Sequence, residues 1–172
     1  MAPKDVRVLI VDLVPHMDAG DRADWRGDHD DRPLSRLGRR QAAALRDALT
    51  TDRIDALYAS PALRARQTLE PIARATGLSI ETLPALAEEQ QGEGSAILAE
   101  RAETALLQMR TRGTGRVIAA SHGDLIPTLA AQIALTIGGN VARLEHRGQW
   151  YRIEVAEAIR SIERLEVSDF PH

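Results

Sequence analysis

Residues 116–137 read RVIAASHGDLIPTLAAQIALTI, a strand pattern that passes directly into a helix pattern. The first six residues are mainly apolar, as in a strand that is buried inside a sheet. After the short polar segment at 121–124, apolar residues recur at helical spacing, at 126, 129, 130, 133, 134 and 137. This spacing is typical of a helix with one buried face. A buried strand followed by an amphipathic helix favours an α/β fold.

The same order recurs along the chain. Strands are predicted at 6–14, 54–60, 79–83 and 116–121, and helices at 36–49, 61–77, 96–111 and 126–137. Ser35 is the expected N-cap of the first helix, and Gly77 is the expected end of the second. Two further strands at 149–155 and 161–167 alternate like edge strands. The pattern predicts a three-layer α/β/α sandwich around a mainly parallel sheet, with residues 1–172 forming a single domain.

Composition and charge narrow the classes of function. Of 172 residues, 44% are hydrophobic and 27% charged, which favours a globular chain over a disordered one. The net charge of -3 argues against nucleic acid as the main partner. Without cysteine there is no disulfide and no thiol nucleophile, and no apolar run reaches the length of a membrane span. We therefore expect a cytoplasmic protein without a membrane or nucleic-acid partner, whose oligomeric state the sequence leaves open.

Three side chains that suit phosphate chemistry follow predicted strands. His16 and His122 each come directly after a strand, and Arg64 lies one turn into the helix that follows another. In open α/β sheets, ligands bind beyond the carboxyl ends of the strands. A neutral imidazole is a nucleophile, and guanidinium binds phosphoryl oxygens in a bidentate manner. We expect these three side chains to share one cleft.

Four segments carry a resemblance to a known family. They are VPHMDAGDRADWRGDHDDRPLSRLGRRQA at 14–42, SPALRARQT at 60–68, LAEE at 86–89 and VIAASHGDLI at 117–126. In this order and spacing the chain resembles the histidine phosphatase superfamily, also called phosphoglycerate-mutase-like, from residue 6 to about 137. The segment RPLS at 32–35, which precedes the first predicted helix, looks most like that of the short bacterial phosphohistidine phosphatases. The tail RLEHRGQWYRIEV at 143–155 resembles phosphatase domains appended to actinobacterial Nudix hydrolases.

The resemblance implies a role for each matching residue. His16 matches the histidine that becomes phosphorylated, Arg64 a phosphate-binding arginine, and His122 the second histidine of the pocket. Glu88 matches the general acid, and Glu89 is an equally placed competitor. The implied reaction is hydrolysis of a phosphomonoester or of a protein phosphohistidine, with no metal or other cofactor. The implied partner is therefore a phosphorylated small molecule or a phosphoprotein. A mutase is a weaker interpretation, since dedicated mutases are generally longer.

One departure from the family pattern bears on activity. The family carries arginine before the nucleophilic histidine, and this chain has Pro15. Losing one fixed positive donor in such a pocket costs about a hundred- to a thousandfold in rate. Three outcomes are open: an arginine of the following loop (Arg22, Arg26 or Arg32) supplies the charge, or the pocket binds phosphate without turnover, or the site is vestigial. We predict that Arg22 and Arg32 bind substrate.

Other polar residues are expected to be ordinary surface groups. His29 lies among acidic residues at 28–31, which we interpret as a solvated loop in preference to a metal site. His146, which precedes Arg147, is expected at the surface. Met17 replaces a small family residue and is expected to crowd the floor of the pocket.

Overall fold

The computed structural model describes residues 8–113 and 115–172, so the predicted strand residues 6 and 7 lie outside the described part. The strands are β1 (Leu9–Pro15), β2 (Ala56–Ala59), β3 (Ile80–Thr82), β4 (Gly115–Ser121), β5 (Gln149–Val155) and β6 (Ile159–Glu166). The helices are α1 (Arg36–Leu49), α2 (Leu63–Thr76), α3 (Ser95–Arg112) and α4 (Leu125–Thr136). Short 3₁₀ turns occur at Arg22–Asp24, His29–Asp31 and Pro84–Leu86.

The six strands form one sheet in the order β3-β2-β4-β1-β5-β6. The first four are parallel, and β5 and β6 are antiparallel to their neighbours. The prediction of a mainly parallel sheet is confirmed. The prediction that β5 is an edge strand is wrong, because it lies between β1 and β6. Polar and apolar residues alternate along β5 because the side chains of Arg152 and Glu154 are half-buried, although the strand lies inside the sheet.

Helices cover both faces of the sheet. On one face, apolar residues of α3 and α4 pack with Leu9, Val11 and Leu13 of β1. On the other face, α1 and α2 pack with Val14 and with strands β2 and β4. The two clusters lie on opposite faces because side chains alternate along a strand. The predicted three-layer α/β/α sandwich is confirmed.

Local signals set the helix ends. The Ser35 hydroxyl accepts a hydrogen bond from the Gly38 amide, as an N-cap does. Gly77 ends α2 with a φ of 74°, a left-handed conformation that glycine adopts without strain. Helix α2 begins at Leu63 and not at Pro61, since Ala62 is its N-cap. No helix among the described residues has the length and apolar character that crossing a membrane requires.

A fully buried carboxylate lies in the middle of β1. Asp12 Oδ2 accepts a hydrogen bond from Arg116 Nε at 2.8 Å, and Oδ1 accepts from Trp150 Nε1 at 3.0 Å. Arg152 donates to both carboxylate oxygens, at 2.8 and 3.0 Å. Asp12 therefore joins β1, β4 and β5 through charge-assisted hydrogen bonds.

Candidate active site

The carboxyl ends of three parallel strands meet at one edge of the sheet. The His16 amide donates to the Ser121 carbonyl at 2.9 Å, and the Ser60 amide donates to the Ala120 carbonyl at 3.0 Å. These bonds continue the strand pairing by one residue past β1 and β2. As a result the rings of His16 and His122 lie with their centroids 5.3 Å apart.

His16 is held as a neutral imidazole. Its Nδ1 lies 2.8 Å from the Met17 carbonyl oxygen, which can only accept, so Nδ1 carries the proton and Nε2 keeps its lone pair. Burial and, to a smaller extent, the neighbouring Arg147 charge lower the pKa of His16 to about 3. An unprotonated Nε2 near neutral pH is what a nucleophilic histidine requires.

His122 is buried beside His16 and also stays neutral. Burial and the Arg64 charge lower the pKa of His122 to about 3. Its Nε2 lies 2.7 Å from the Ser60 hydroxyl, and its Nδ1 lies 3.4 Å from Arg64 Nη2. Because a guanidinium can only donate, Nδ1 is the accepting nitrogen and Nε2 carries the proton. Arg64 therefore sets the tautomer of His122, and the Ser60 hydroxyl accepts the hydrogen bond from Nε2.

Arg64 is the most deeply buried charged group of the site, with a relative exposure of 0%. Its Nη1 donates to the His29 carbonyl at 2.8 Å and its Nη2 to Glu88 Oε2 at 3.0 Å. One turn later, the Thr68 hydroxyl donates to the Arg64 carbonyl at 2.8 Å and accepts from the Met17 amide at 2.9 Å. Thr68 thus ties α2 to the segment that follows His16.

Glu88, and not Glu89, faces the buried arginine. Glu88 Oε2 lies 3.0 Å from Arg64 Nη2 and 2.8 Å from His29 Nε2, whereas Glu89 is exposed. The expectation of a solvated loop agrees with the exposed Asp28, Asp30 and Asp31, but it is wrong for His29. The 3₁₀ turn at His29–Asp31 folds back over α2, and the backbone carbonyl of His29 and its ring both contact Arg64.

The segment that carries Glu88 is bound to the rest of the site by two side chains. The Ser121 hydroxyl donates to the Leu86 carbonyl at 2.7 Å, which joins the end of β4 to this segment. Arg101 of α3 donates to the Ala87 carbonyl at 2.6 Å and pairs with Glu93 at 2.7 Å. The carboxyl group of Glu88 is therefore presented from a loop that is fixed on both sides.

The loop arginines differ in their positions. Arg32 is buried, and its Nη1 donates to the carbonyls of Ala19 and Gly20 at 2.9 and 2.6 Å. Arg22 and Arg26 are exposed. The expectation that Met17 crowds the pocket floor is wrong, since Met17 is buried in the apolar cluster beneath α1 and α2.

Arg147 lies at the site although sequence reasoning assigned it no role. Its Nη1 donates to the His16 carbonyl at 2.7 Å and lies 3.3 Å from His16 Nδ1. The two residues are 131 positions apart, and no motif connects them. Beside them lies a cavity of about 1130 Å³, which is lined by Pro15, Gly123 and Arg147 among others. Within residues 8–113 and 115–172, no cluster of three or more histidine and carboxylate groups could hold a metal ion.

Gly38 brings α1 into contact with the loop after His16. The Asp18 carbonyl accepts from the Ser35 amide at 2.9 Å, and the Asp18 carboxylate is hydrogen-bonded to the Ser35 hydroxyl. A Cβ atom at position 38 would lie 1.9 Å from the Asp18 carbonyl oxygen. The backbone next to His16 therefore requires glycine at this point of α1.

We expect Gly38→Ala to lower the free energy of unfolding by about 1–3 kcal/mol, because the added methyl group forces helix and loop apart. Urea unfolding followed by circular dichroism measures the change. Gly139→Ala is the matched control, since a Cβ there meets only Ile137 side-chain atoms at 3.7 Å and beyond. Equal unfolding midpoints for the two variants would contradict the close packing of residues 18 and 38.

Comparison with known proteins agrees with this architecture. Phosphoglycerate mutase from Bacillus anthracis superposes with a TM-score of 0.79 at 16% identity, covering 94% of each chain. The protein histidine phosphatase SixA, solved with tungstate, superposes with a TM-score of 0.61 at 21% identity, covering 90% of this chain and 96% of SixA. The fold is thus that of the phosphoglycerate-mutase-like class of α/β proteins.

Sequence comparison identifies the family. Residues 19–93 match the model of the histidine phosphatase superfamily (branch 1). The 8-oxo-(d)GTP phosphatase of Mycolicibacterium smegmatis is 34% identical over 127 residues, which are 74% of this chain and 37% of that protein. The chain therefore spans little more than a third of this relative. The chain belongs to the histidine phosphatase superfamily.

Proposed function

We propose that this chain is a metal-independent phosphatase that passes a phosphoryl group from a phosphomonoester to His16 and then to water. The single observation that carries the proposal is the neutral His16 imidazole, with an unprotonated Nε2, packed against His122 beside the buried Arg64 guanidinium. Phosphoryl transfer needs a nucleophile in line with the leaving oxygen and fixed positive groups for the equatorial oxygens. His16 supplies the first, and Arg64 supplies a positive group.

The proposed reaction has two steps. In the first, the Nε2 lone pair of His16 forms an N–P bond while the ester P–O bond breaks. The carboxyl group of Glu88 gives its proton to the departing oxygen. In the second, the Glu88 carboxylate takes a proton from water as the water oxygen attacks phosphorus. The N–P bond then breaks and releases inorganic phosphate and neutral His16.

A phosphorylated small molecule is the substrate class that we favour over a phosphoprotein. The Mycolicibacterium smegmatis relative is named for activity on a nucleotide, which is such a molecule. The cavity beside Pro15 has a volume of about 1130 Å³, against roughly 300–1,000 Å³ for ordinary ligand pockets, so its size admits an organic group. Pro15, Gly123 and Arg147 line it, whereas His16, Arg64 and His122 are not among its lining residues. The proposed location is the cytoplasm, in line with a chain that has no cysteine.

A second candidate function is phosphate binding without turnover. Pro15 provides no positive group, and Arg64 is already paired with Glu88 at 3.0 Å. Both observations reduce the positive charge that is available to a transferring phosphoryl group, which disfavours turnover. Binding of inorganic phosphate without release of product from any aryl or alkyl phosphate would support this candidate over the first.

The role of Glu88 gives a direct test of the proposed reaction. We expect Glu88→Gln to lower kcat/KM on an alkyl phosphate by about 10²–10⁴-fold, because a poor leaving group needs a proton and kcat/KM reports transfer to His16 without the later hydrolysis step in which Glu88 also acts. The loss on p-nitrophenyl phosphate is expected to be much smaller, since that leaving group departs as an anion. Steady-state kinetics on both substrates measures the difference.

Glu89→Gln is the matched control for this experiment. Glu89 is exposed and its side chain does not contact Arg64 among the described residues, so its removal is expected to leave both rates unchanged. Equal losses for Glu88→Gln on the two substrates would argue against a general acid. Loss in the Glu89 variant alone would transfer the role to the neighbouring carboxylate.

A further inference from the structure

Arg147 is a half-buried cation in direct contact with the candidate nucleophile. Its Nη1 donates to the His16 carbonyl at 2.7 Å. The same nitrogen lies 3.3 Å from His16 Nδ1, whose proton is committed to the Met17 carbonyl. The other two guanidinium nitrogens, Nε and Nη2, have no hydrogen-bond partner among the described residues. The side chain therefore retains donors for a further acceptor.

No described carboxylate lies within 4.0 Å of the Arg147 guanidinium. The acidic residue with the largest influence on it is Asp18, whose carboxylate is already hydrogen-bonded to the Ser35 hydroxyl and the Gly20 amide. Burial lowers the pKa of Arg147. A partly buried cation that has no direct ion pair, and whose acidic neighbour is hydrogen-bonded elsewhere, is suited to bind an anionic ligand.

The position of Arg147 matches the missing charge. Arg147 and Pro15 line the same cavity, together with Gly123, which follows His122. Residue 15 is where the family resemblance calls for an arginine next to the nucleophile. Arg147, which precedes β5, therefore places its guanidinium in the cavity beside residue 15. The arginine of the family pattern would stand at that residue, and Pro15 provides no positive charge there.

The other arginines near the pocket are less suited to this task. Arg32, like Arg147, uses only Nη1 for backbone carbonyls, and its buried Nε has no partner, but it does not line the cavity that Arg147 shares with Pro15. Arg22 is exposed. Neither makes a hydrogen bond to His16 among the described residues.

We propose that Arg147 is a phosphate-binding residue that supplies, together with Arg64, the positive charge that Pro15 removes. This inference rests on the proposed function of the same pocket. In the phosphorylated enzyme, the guanidinium of Arg147 binds an oxygen of the phosphoryl group on His16. In the free enzyme, its charge disfavours protonation of the His16 ring and so preserves the nucleophile.

Two substitutions separate charge from hydrogen bonding. Arg147→Gln keeps an N–H donor for the His16 carbonyl and removes the charge, whereas Arg147→Lys keeps the charge. We expect Arg147→Gln to lower kcat/KM for p-nitrophenyl phosphate by about 100- to 1,000-fold, as loss of a preorganised charge does. It is also expected to weaken vanadate binding by about tenfold or more, because vanadate mimics the transferring group. Arg147→Lys is expected to lose less of both.

Arg40→Gln is the matched control, because Arg40 is exposed on α1 away from the pocket. It is expected to leave kcat/KM and vanadate affinity unchanged. Thermal unfolding shows whether each variant is folded. If Arg147→Gln is not folded, the comparison is made with Arg147→Lys alone. A merely structural role for Arg147 predicts that glutamine preserves activity at least as well as lysine, which would overturn the inference.

Returning arginine to position 15 provides an independent test. Pro15→Arg is expected to raise kcat/KM of the Arg147→Gln variant by at least about tenfold, and to raise that of the parent by less. An equal gain in both backgrounds would show that the two positions do not share a role, and would overturn the inference.

Failure of the inference and failure of the proposed function give different results. If Arg147→Gln equals the parent while removal of His16 abolishes turnover, the inference fails and the phosphatase proposal stands. If the parent is no more active than a variant without His16, the phosphatase proposal fails. The role of Arg147 is then tested by calorimetric titration with vanadate. An unchanged vanadate affinity in Arg147→Gln would overturn the inference that Arg147 binds phosphate.

Discussion

His16→Ala will lower turnover of aryl and alkyl phosphates by at least about 10⁴-fold, since removal of a covalent nucleophile costs this much or more in enzymes. The variant will also fail to form a phosphoenzyme. In the parent, rapid quenching with labelled substrate is expected to trap a phosphoramidate that survives alkali and is released by acid. Loss of this label from the variant is the decisive measurement, because it reports the N–P bond itself.

The matched control for His16→Ala is again Arg40→Gln, changed on the exposed face of α1. It is expected to keep both the turnover and the label of the parent. A His16→Ala protein that hydrolyses p-nitrophenyl phosphate at the parent rate would refute the assignment of the nucleophile. An unchanged label would place the phosphorylated residue elsewhere.

The neutral state of the two histidines also determines how stability depends on pH. The pKa values of His16 and His122 are lowered from 6.5 to about 3 by burial in the folded protein. Below pH 6.5 the unfolded chain therefore binds more protons than the folded one, and stability falls as the pH decreases from 6.5 towards 3. His16→Ala removes one of these groups, so the decrease is expected to be smaller in that variant.

Asp12→Ala is expected to lower the free energy of unfolding by about 3–5 kcal/mol. Asp12 is fully buried and accepts hydrogen bonds from Arg116, Trp150 and Arg152. Removing the carboxylate leaves the buried Arg116 guanidinium without its ion-pair partner. The cost is large because that charge then remains in a medium of low polarity. Urea unfolding measures it.

Asp47→Ala is the matched control for this change. The Asp47 carboxylate pairs with Arg46 on the surface of α1, with 69% of its side chain exposed. Exposed pairs of this kind contribute about 0–1 kcal/mol. If Asp12→Ala unfolds at the same urea concentration as Asp47→Ala, the three donors around Asp12 do not depend on its charge.

Most of the fold could be predicted because its signals are local. The apolar runs that became β1, β2 and β4 and the periodic pattern that became α4 each report burial of neighbouring residues. The wrong assignment of β5 to a sheet edge has a physical cause. Its alternation of buried and half-buried side chains reports the environment of its two faces, and says nothing about how many strands pair with its edges.

The candidate site could be predicted in part. His16, Arg64 and His122 were expected to converge because parallel strands end at a common edge, and the structure brings them together. The choice of Glu88 over Glu89 could not be made, since adjacent residues in a loop have no periodicity that decides which one points inwards. The structure shows that the Glu88 carboxylate contacts His29 and Arg64, which belong to separate elements, and that Glu89 is exposed.

The amino-acid sequence alone was sufficient for the α/β sandwich, the family resemblance and three of the residues around the pocket, because these depend on short-range patterns and motif order. Tertiary structure alone revealed the carboxylate that faces Arg64, the turn that carries His29 over it, and the placement of Arg147 on His16. Contacts between residues as many as 131 positions apart arise from chain packing in three dimensions, which no local pattern encodes.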